Sequence, residues 1–334
     1  MSIGLALSGG GAKGLAHIGV LEALKDYGIN VDYIAGTSSG SLVASLYAAG
    51  YTPNEMLKII NKYKDGIIDI DKGIAFKLFG SVLKKKISIK GFVKGIRLER
   101  MLEYILKEKG IEDISDLTYP IAIPTVNLRT GEITYFSNID LDNTKAEYKD
   151  RWCLIEENSN YEDEPKYIKG GKLSSIVRAS CSVPGIFVPK KIDEEIYIDG
   201  GVRVNSPIDV LRKMGADKII VVTFNCNKGN QMGIENVIGI SSQAFNIMSH
   251  ESNKDKVELA DVNIKLCLNN VSLLDFSNAT NLAHRGYNII ASNIDRINKS
   301  LNLDIKRWQT NKRQLNKYRV LVNARALYLL YKIK

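Results

Sequence analysis

The chain has 334 residues, 45% hydrophobic and 25% charged, the balance of a globular protein with a large core rather than of a disordered or fibrous one. Its formal net charge is +9, but residues 296–334 hold eleven basic residues against the single acid Asp304, so the remainder is close to neutral and a basic surface spread over the whole chain is excluded. No apolar run approaches the length of a membrane span and no cleaved leader is read at the start, which gives a cytoplasmic expectation with signal-less secretion left open. Cys153, Cys181, Cys226 and Cys267 are widely spaced and form no C-x-x-C pair, so reduced thiols are expected, with neither a disulfide framework nor a metal site.

In chain order, residues 3–8 predict a short apolar strand that ends in a glycine loop. Leu15, Ile18, Leu21 and Leu24 then recur at helical spacing over residues 12–27, and Gly28 stands where a helix terminates. Tyr33, Ile34 and Ala35 predict a second strand, and an apolar helix runs from Leu42 toward Gly50. Thr52-Pro53-Asn54-Glu55 is a capping box with proline in the first helical position. Residues 64–96 are irregular, Leu98 to Leu106 resumes a helix, and Ile121 to Val126 turns at Arg129-Thr130-Gly131 into a strand over 133–136. Residues 137–172 read as a polar surface excursion. A rigid loop at 183–189 and a hairpin lead to Asp199, a helix covers 207–214, a buried strand covers 218–224, and residues 230–334 read as largely helical. Strands alternating with helices predict an α/β fold with a parallel sheet.

Three segments carry chemistry. Gly36-Thr37-Ser38-Ser39-Gly40 is a G-x-S-x-G between an apolar strand and an apolar helix, the context of a nucleophile elbow, or else a glycine-rich turn without chemistry. Asp199-Gly200-Gly201 places a carboxylate on a glycine-flanked backbone, and Asp-Gly is also a common hairpin turn. Gly9-Gly10-Gly11-Ala12-Lys13-Gly14 admits three readings. It fits a dinucleotide fingerprint, but Asp32 precedes its strand and lies at the wrong end of the sheet for the ribose. It fails the P-loop pattern, because Lys13 is followed by Gly14 and Leu15. As an oxyanion hole it offers free N–H groups at a helix start. His17 falls inside the first helix and is read as core, and neither His250 nor His284 stands in a catalytic pattern, so a serine–aspartate dyad is the simplest arrangement.

Together and in this order, these segments resemble the patatin-like phospholipase family, whose members carry a glycine-rich loop, G-x-S-x-G and D-G-[GA]. The resemblance rests on Leu7 to Gly14, Gly36 to Ser41 and the block from Arg178 to Phe187, and covers residues 3–224, continuing more weakly to about 295. Lys13 stands where many members carry arginine. The resemblance implies a three-layer α/β/α fold with a central, mostly parallel sheet, followed by a helical C-terminal extension. It also implies a lipid acyl hydrolase of phospholipase A type that uses neither metal nor cofactor. On the residues of this chain, it makes Ser38 the nucleophile and Asp199 the base. Gly9, Gly10, Gly11, Ala12, Lys13 and Gly14 form the oxyanion loop, with Gly36, Gly40, Gly200 and Gly201 shaping the two turns.

The expected organisation is a catalytic core over 1–225, a helical completion of the same domain over 226–295, and a basic helical extension over 296–334. Residues 74–92 and 312–331 interleave lysines or arginines with apolar side chains and are candidates for peripheral contact with an anionic membrane. No nucleic-acid motif accompanies them, so no nucleic-acid partner is expected. The competing readings are an esterase, thioesterase or transacylase on another acyl substrate, and a nucleotide-binding or scaffold protein without activity. The oligomeric state is left open.

Overall fold

The structure, a computed structural model, describes residues 1–71, 90–142, 164–224, 235–254, 256–268 and 271–303. Five strands run in the expected places: β1 (Ile3–Leu7), β2 (Tyr33–Gly36), β3 (Ile121–Asn127), β4 (Ile133–Ser137) and β8 (Lys218–Thr223). β5 (Lys166–Lys169), β6 (Lys190–Ile192), β7 (Glu195–Asp199) and β9 (Val262–Lys265) complete one mixed sheet. Its main order is β5-β4-β3-β2-β1-β8-β9. β1 is parallel to β2 and to β8, β8 to β9, and β2 to β3. Strand side chains alternate between two cores, as a pleat with both faces covered requires. Leu5, Leu7, Ile34, Ile220 and Val222 face the larger core, while Ala6, Ala35, Ile219 and Val221 face the smaller.

Helices cover both faces. On the larger core lie α1 (Ala16–Asp26), α2 (Ser39–Ala48), α3 (Pro53–Tyr63), α4 (Ile96–Lys107), α5 (Leu173–Ser180) and α8 (Ala279–Ser300), each contributing buried apolar residues to it. α6 (Ile208–Lys213) covers the other face through Ile208, Val210 and Leu211. α7 (Val237–Glu251) lies near the turn that follows Asp199. The capping box forms as the sequence predicts. Thr52 Oγ1 accepts the Glu55 N–H at 3.3 Å, and Glu55 returns a carboxylate oxygen to the Thr52 N–H at 2.7 Å.

Four expectations change. The stretch over 137–172 is not wholly an excursion: Lys166–Lys169 pairs in parallel with β4 and forms a sheet edge. Residues 230–334 are not only helical, because Val262–Lys265 adds β9 to the same sheet. α8 runs from 279 to 300, through the boundary placed at 296, with Ile294 and Ile297 in the core. Both β5 and β9 are four residues long, too short for a periodic signal to separate strand from loop. The fourth change concerns the thiols. Cys181 is free and buried, but Cys267 is disulfide-bonded. Sequence spacing could not show this, because Cys267 is positioned by β9, a strand joined to the sheet by pairing with distant β8. The eight-residue helix α5 also went unread, being shorter than the window over which a helical period is read.

The two segments expected at a membrane, 74–92 and 312–331, fall outside the described residues apart from 90–92. Among the described residues no helix is long and apolar enough to cross a membrane.

Candidate active site

Strand pairing brings Ser38 and Asp199 together. β2 covers β3 only at Ile121 and Ala122. The rest of the same β3 edge is taken by β7, antiparallel, with Asp199 opposite Thr125 and Tyr197 opposite Asn127. The carboxyl ends of β2 and β7 therefore run toward each other along one strand. Ala35 stands opposite Ala122 and Asp199 opposite Thr125, three residues on. At roughly 3.3 Å per residue that leaves about 10 Å, the gap into which the chain turns after Gly36.

Ser38 sits on that turn with φ 54° and ψ −125°, a positive φ that a serine adopts only when its surroundings hold it there. Its N–H donates to Ser180 Oγ at 3.0 Å, and Ser180 Oγ donates to the Pro124 carbonyl at 2.8 Å, which ties the turn to β3. Thr37 Oγ1 donates to the Val204 carbonyl at 2.9 Å, and Ser41 Oγ donates to the Ser38 carbonyl at 2.6 Å. Gly40 is required by close approach: a Cβ there would lie 2.3 Å from the Leu7 carbonyl oxygen. Gly36 closes β2 directly beneath it, and its own Cβ would meet the Gly40 carbonyl.

Asp199 is fully buried. Its Oδ1 accepts the Gly201 N–H at 2.8 Å, within the short 3-10 turn that begins at Gly200. Its Oδ2 is buried and makes no hydrogen bond of ordinary length. Burial raises the carboxyl pKa to about 7, opposed by the Ser38 hydroxyl and the Gly201 N–H. The serine is thus near enough to act on the carboxylate, while Oδ2 is left open to receive a proton. Cys181 lies beside the pair, and burial together with the Asp199 charge pushes its thiol up to about 12, so it stays protonated.

The glycine loop follows β1. Gly9 donates its N–H to Asn205 Oδ1 at 3.0 Å, Ala12 donates to the Leu273 carbonyl at 2.8 Å, and Lys13 donates to the Gly10 carbonyl at 3.3 Å. Gly14 lies within the 3-10 turn Gly11–Leu15, against Ser39. Of the six residues in the predicted oxyanion loop, Gly10 and Gly11 are the two whose N–H groups meet no acceptor among the described residues. His17, expected in the core, is buried there and donates Nε2–H to the Ser8 carbonyl at 2.8 Å, anchoring the loop's first residue. Burial lowers its pKa to about 4, against the pull of that bond, so the ring is neutral at pH 7. His284 is exposed on α8, where Asn288 is its hydrogen-bond partner. Asp32 gives its carboxylate to the Ile3 N–H at 2.7 Å, at the amino end of the sheet, which removes it from any nucleotide role at the glycine loop.

Several supporting residues carried no sequence signal of their role. Asn205 holds Gly9, and Asn253 Oδ1 accepts the N–H groups of Asn205 and Ser206 at 3.0 and 2.9 Å. Asn253 Nδ2 donates to the Ser249 carbonyl, and Ser249 Oγ donates to the Gly201 carbonyl at 2.7 Å. One polar chain therefore joins the glycine loop, the aspartate turn and the end of α7. Arg178, buried at the end of α5, donates to Ser182 Oγ and to the Lys94 and Val188 carbonyls at 2.6–2.8 Å. Ser182 in turn offers its carbonyl to the Asp199 N–H at 3.0 Å. Arg178 opens the block to Phe187 on which the family resemblance rests, and Asn205 follows the aspartate motif by four residues; those positions were the available hints.

Beside Ser38 opens a narrow apolar cavity of about 40 Å³, walled by Leu42, Ile68, Leu98, Val183, Phe187 and Leu274.

A serine forced into a strained strand-to-helix turn, next to an open buried carboxylate and two free N–H donors, is a constellation suited to acyl transfer. With helices on both faces of the sheet, it places the chain among α/β proteins built around a serine elbow. The family model described as Patatin-like phospholipase matches residues 5–212, more than half of the chain, and the chain belongs to that family. It is 30% identical over 223 residues to "Lysophospholipase nte1" of Aspergillus fumigatus, a match covering 66% of this chain and 12% of that protein. It is also 30% identical over 229 residues to "Uncharacterized protein YqhO" of Bacillus subtilis, covering 67% of this chain and 72% of that one. Among solved structures it is similar to VipD from Legionella pneumophila, with a TM-score of 0.43 and 14% identity over 88% of this chain and 66% of that chain. The match thus spans about an eighth of the length of the fungal relative and most of the bacterial one.

Proposed function

We propose that this protein is a lipid acyl hydrolase of phospholipase A type that works through Ser38 and Asp199. The observation that carries the reading is the open Oδ2 of a buried Asp199 beside a serine held at positive φ. Ser38 Oγ attacks the ester carbonyl as its proton passes to Asp199 Oδ2. The developing oxyanion takes the N–H groups of Gly10 and Gly11, and the acyl chain enters the apolar cavity walled by Leu42, Leu98 and Phe187. As the C–O bond breaks, Asp199 returns the proton to the leaving alcohol, and an acyl-serine remains. Water then attacks that ester, giving its proton to Asp199, and the fatty acid leaves as Ser38 regains its proton. A carboxyl titrating near 7 suits both steps, since it is a stronger base than an ordinary aspartate and still ionised in a good fraction of molecules at neutral pH. Peripheral contact with an anionic bilayer, where such substrates reside, is part of this proposal.

The test is release of free fatty acid from mixed phospholipid and lysophospholipid vesicles by wild type, Ser38→Ala and Asp199→Asn, with fluorophosphonate labelling of Ser38 in parallel. Release abolished in both variants supports the dyad. Release that survives both removes it. Labelled Ser38 without lipid cleavage points to a different acyl substrate.

A further inference from the structure

α7 (Val237–Glu251) is an apolar helix buried on one side only. Inward, Phe245 is buried with Val183, Ile186 and Phe187, and Ile238 packs against that cluster. Ser249 holds the Gly201 carbonyl, and Ser242, Gln243 and Asn246 line a polar cavity of about 160 Å³ that Gly10 and Lys13 also line. Outward, Val237, Ile240, Ile247 and Met248 are 46–61% exposed. Of the nine large apolar side chains exposed among the described residues, these four stand on one helix. A single exposed apolar residue is ordinary, whereas four gathered on one face mark a contact surface.

The spacing of the outward residues is that of a helix pair. Val237, Ile240, Ala244, Ile247 and Glu251 are all exposed and follow one another at intervals of three, four, three and four, the a and d positions of a coiled-coil seam. Ala244 puts a small side chain in the middle of the stripe, which lets a second helix approach closely. The stripe does not suit a bilayer. A helix lying in the lipid interface carries lysine and arginine beside its apolar face, whereas α7 has neither, and its one carboxylate, Glu251, lies on the stripe itself. That carboxylate also fixes the direction of pairing. At the C-terminus of its own helix an acid faces the negative end of the dipole. At the other end, the N–H groups of Val237 and Ile238 meet no acceptor among the described residues. Two copies of α7 laid antiparallel bring each Glu251 toward the N-terminus of the other helix, whereas parallel copies would set one Glu251 against the other.

We infer that the outward face of α7 is the contact surface for a second copy of this chain, in a two-fold, antiparallel helix pair. With the four apolar seam positions in register, Val237 meets the partner's Ile247 and Ile240 meets the partner's Ala244, and the two-fold axis returns the same contacts. The 15 residues of α7 span about 22 Å, so the pair alone falls at the small end of protein interfaces, and the dimer is reversible with a dissociation constant on the order of micromolar. This pairing goes beyond the hydrolase reading and does not depend on it.

The experiment is sedimentation equilibrium of the full chain across the micromolar range for wild type, Ile240→Glu and Leu128→Glu, with the thermal unfolding of each. Leu128 is an exposed apolar residue on the turn between β3 and β4, away from α7. Wild type is expected to pass from monomer to dimer as concentration rises. Ile240→Glu is expected to weaken association at least about tenfold at unchanged Tm, because each copy loses a buried apolar contact, and Leu128→Glu to associate as wild type does. Direction is read by oxidative cross-linking of Val237→Cys and Ile247→Cys, with wild type as the control for the native thiols. The two variants are expected to cross-link to each other when mixed and not when alone, since like residues in the antiparallel pair lie about 15 Å apart, too far for a disulfide. Cross-links within each variant alone overturn the antiparallel arrangement. A wild type that stays monomeric throughout the range, or a dimer that Ile240→Glu leaves intact, overturns the surface. A monomeric wild type whose flotation with phosphatidylglycerol vesicles is lost in Ile240→Glu assigns the stripe to a bilayer and overturns it too.

Discussion

The two ends of the sheet treat their polar groups in opposite ways. At the amino end every aspartate is satisfied. Asp32 takes the Ile3 N–H, and Asp217 takes the Ser2 N–H at 2.8 Å. Asp261 takes Lys218 Nζ, the Ile219 N–H and the Arg212 guanidinium at 2.7–2.9 Å. Burial raises the Asp261 carboxyl, but those three partners outweigh it and hold it below the ordinary range. At the carboxyl end, the N–H groups of Gly10 and Gly11 and the Lys13 ammonium meet no acceptor among the described residues, Asp199 Oδ2 makes no hydrogen bond of ordinary length, and the Asp199 carboxyl is pushed up to about 7. Both ends carry aspartates, so residue type does not separate them. A stability site saturates its charges, whereas a reactive site leaves them open for an incoming group.

The largest effect that would break this contrast is at Ser38. Ser38→Ala is expected to lower fatty acid release by about 10⁴-fold or more, the range seen when a nucleophile is removed, and to abolish fluorophosphonate labelling. Activity within tenfold of wild type would end the assignment of the open end as reactive.

Gly11→Ala comes next. Gly11 has φ 58°, and a Cβ there would lie 2.3 Å from the Leu273 carbonyl oxygen. The substitution is expected to displace that segment or the loop and to lower kcat by about 10²–10³, the usual effect of losing one oxyanion donor. Unchanged kcat with normal folding would mean that Gly11 N–H does not hold the oxyanion.

The Asp199 carboxyl sharpens the contrast through pH. As the base it must be ionised, so kcat/KM is expected to rise with pH and level off above about 7. A profile flat from pH 5 to 8 would contradict this. Stability has the opposite sign. The folded-state pKa lies above the unfolded one, so the native state holds its proton more tightly, and stability falls as pH rises from about 4 toward 7. At 1.36 kcal/mol per pKa unit the full effect above pH 7 is on the order of 4 kcal/mol. Asp199→Asn is therefore expected to be inactive yet more stable than wild type to denaturant at pH 8, with the gain vanishing near pH 4.

The smallest effect belongs to the saturated end. Asp261→Asn leaves Arg212 and Lys218 without their acid and is expected to destabilise by about 1–2 kcal/mol at neutral pH, a figure reduced for partial solvent exposure. Because its folded-state pKa is depressed, that contribution is present above the unfolded pKa and fades as pH falls through the folded one. Vesicle hydrolysis should be unaffected.

The sequence made the three motifs legible because each is locally encoded. A glycine loop after a strand, a serine between two glycines and an aspartate before two glycines are each a backbone conformation that only certain residues permit, so Gly11, Ser38 and Gly201 announce themselves within six positions. The capping box at Thr52 and the helix stops at Gly28 and Gly50 are legible for the same reason. Within the loop, Gly10 and Gly11 are the amides the sequence reading favours, with Ala12 as a third candidate. That Leu273, about 260 residues away, takes the Ala12 N–H, and that Asn205, about 200 residues away, takes the Gly9 N–H, was not legible.

By itself, then, the sequence determined the alternating strand and helix order and the two turns that carry Ser38 and Asp199, since these depend on neighbours along the chain. The tertiary structure alone decided that β2 and β7 meet end to end on β3, that β5 and β9 extend the sheet, that Cys267 is bonded, and that Lys13 faces a polar cavity. Those outcomes depend on burial and pairing between distant segments, and burial is what turns an ordinary carboxylate and an ordinary lysine into groups with altered proton affinity.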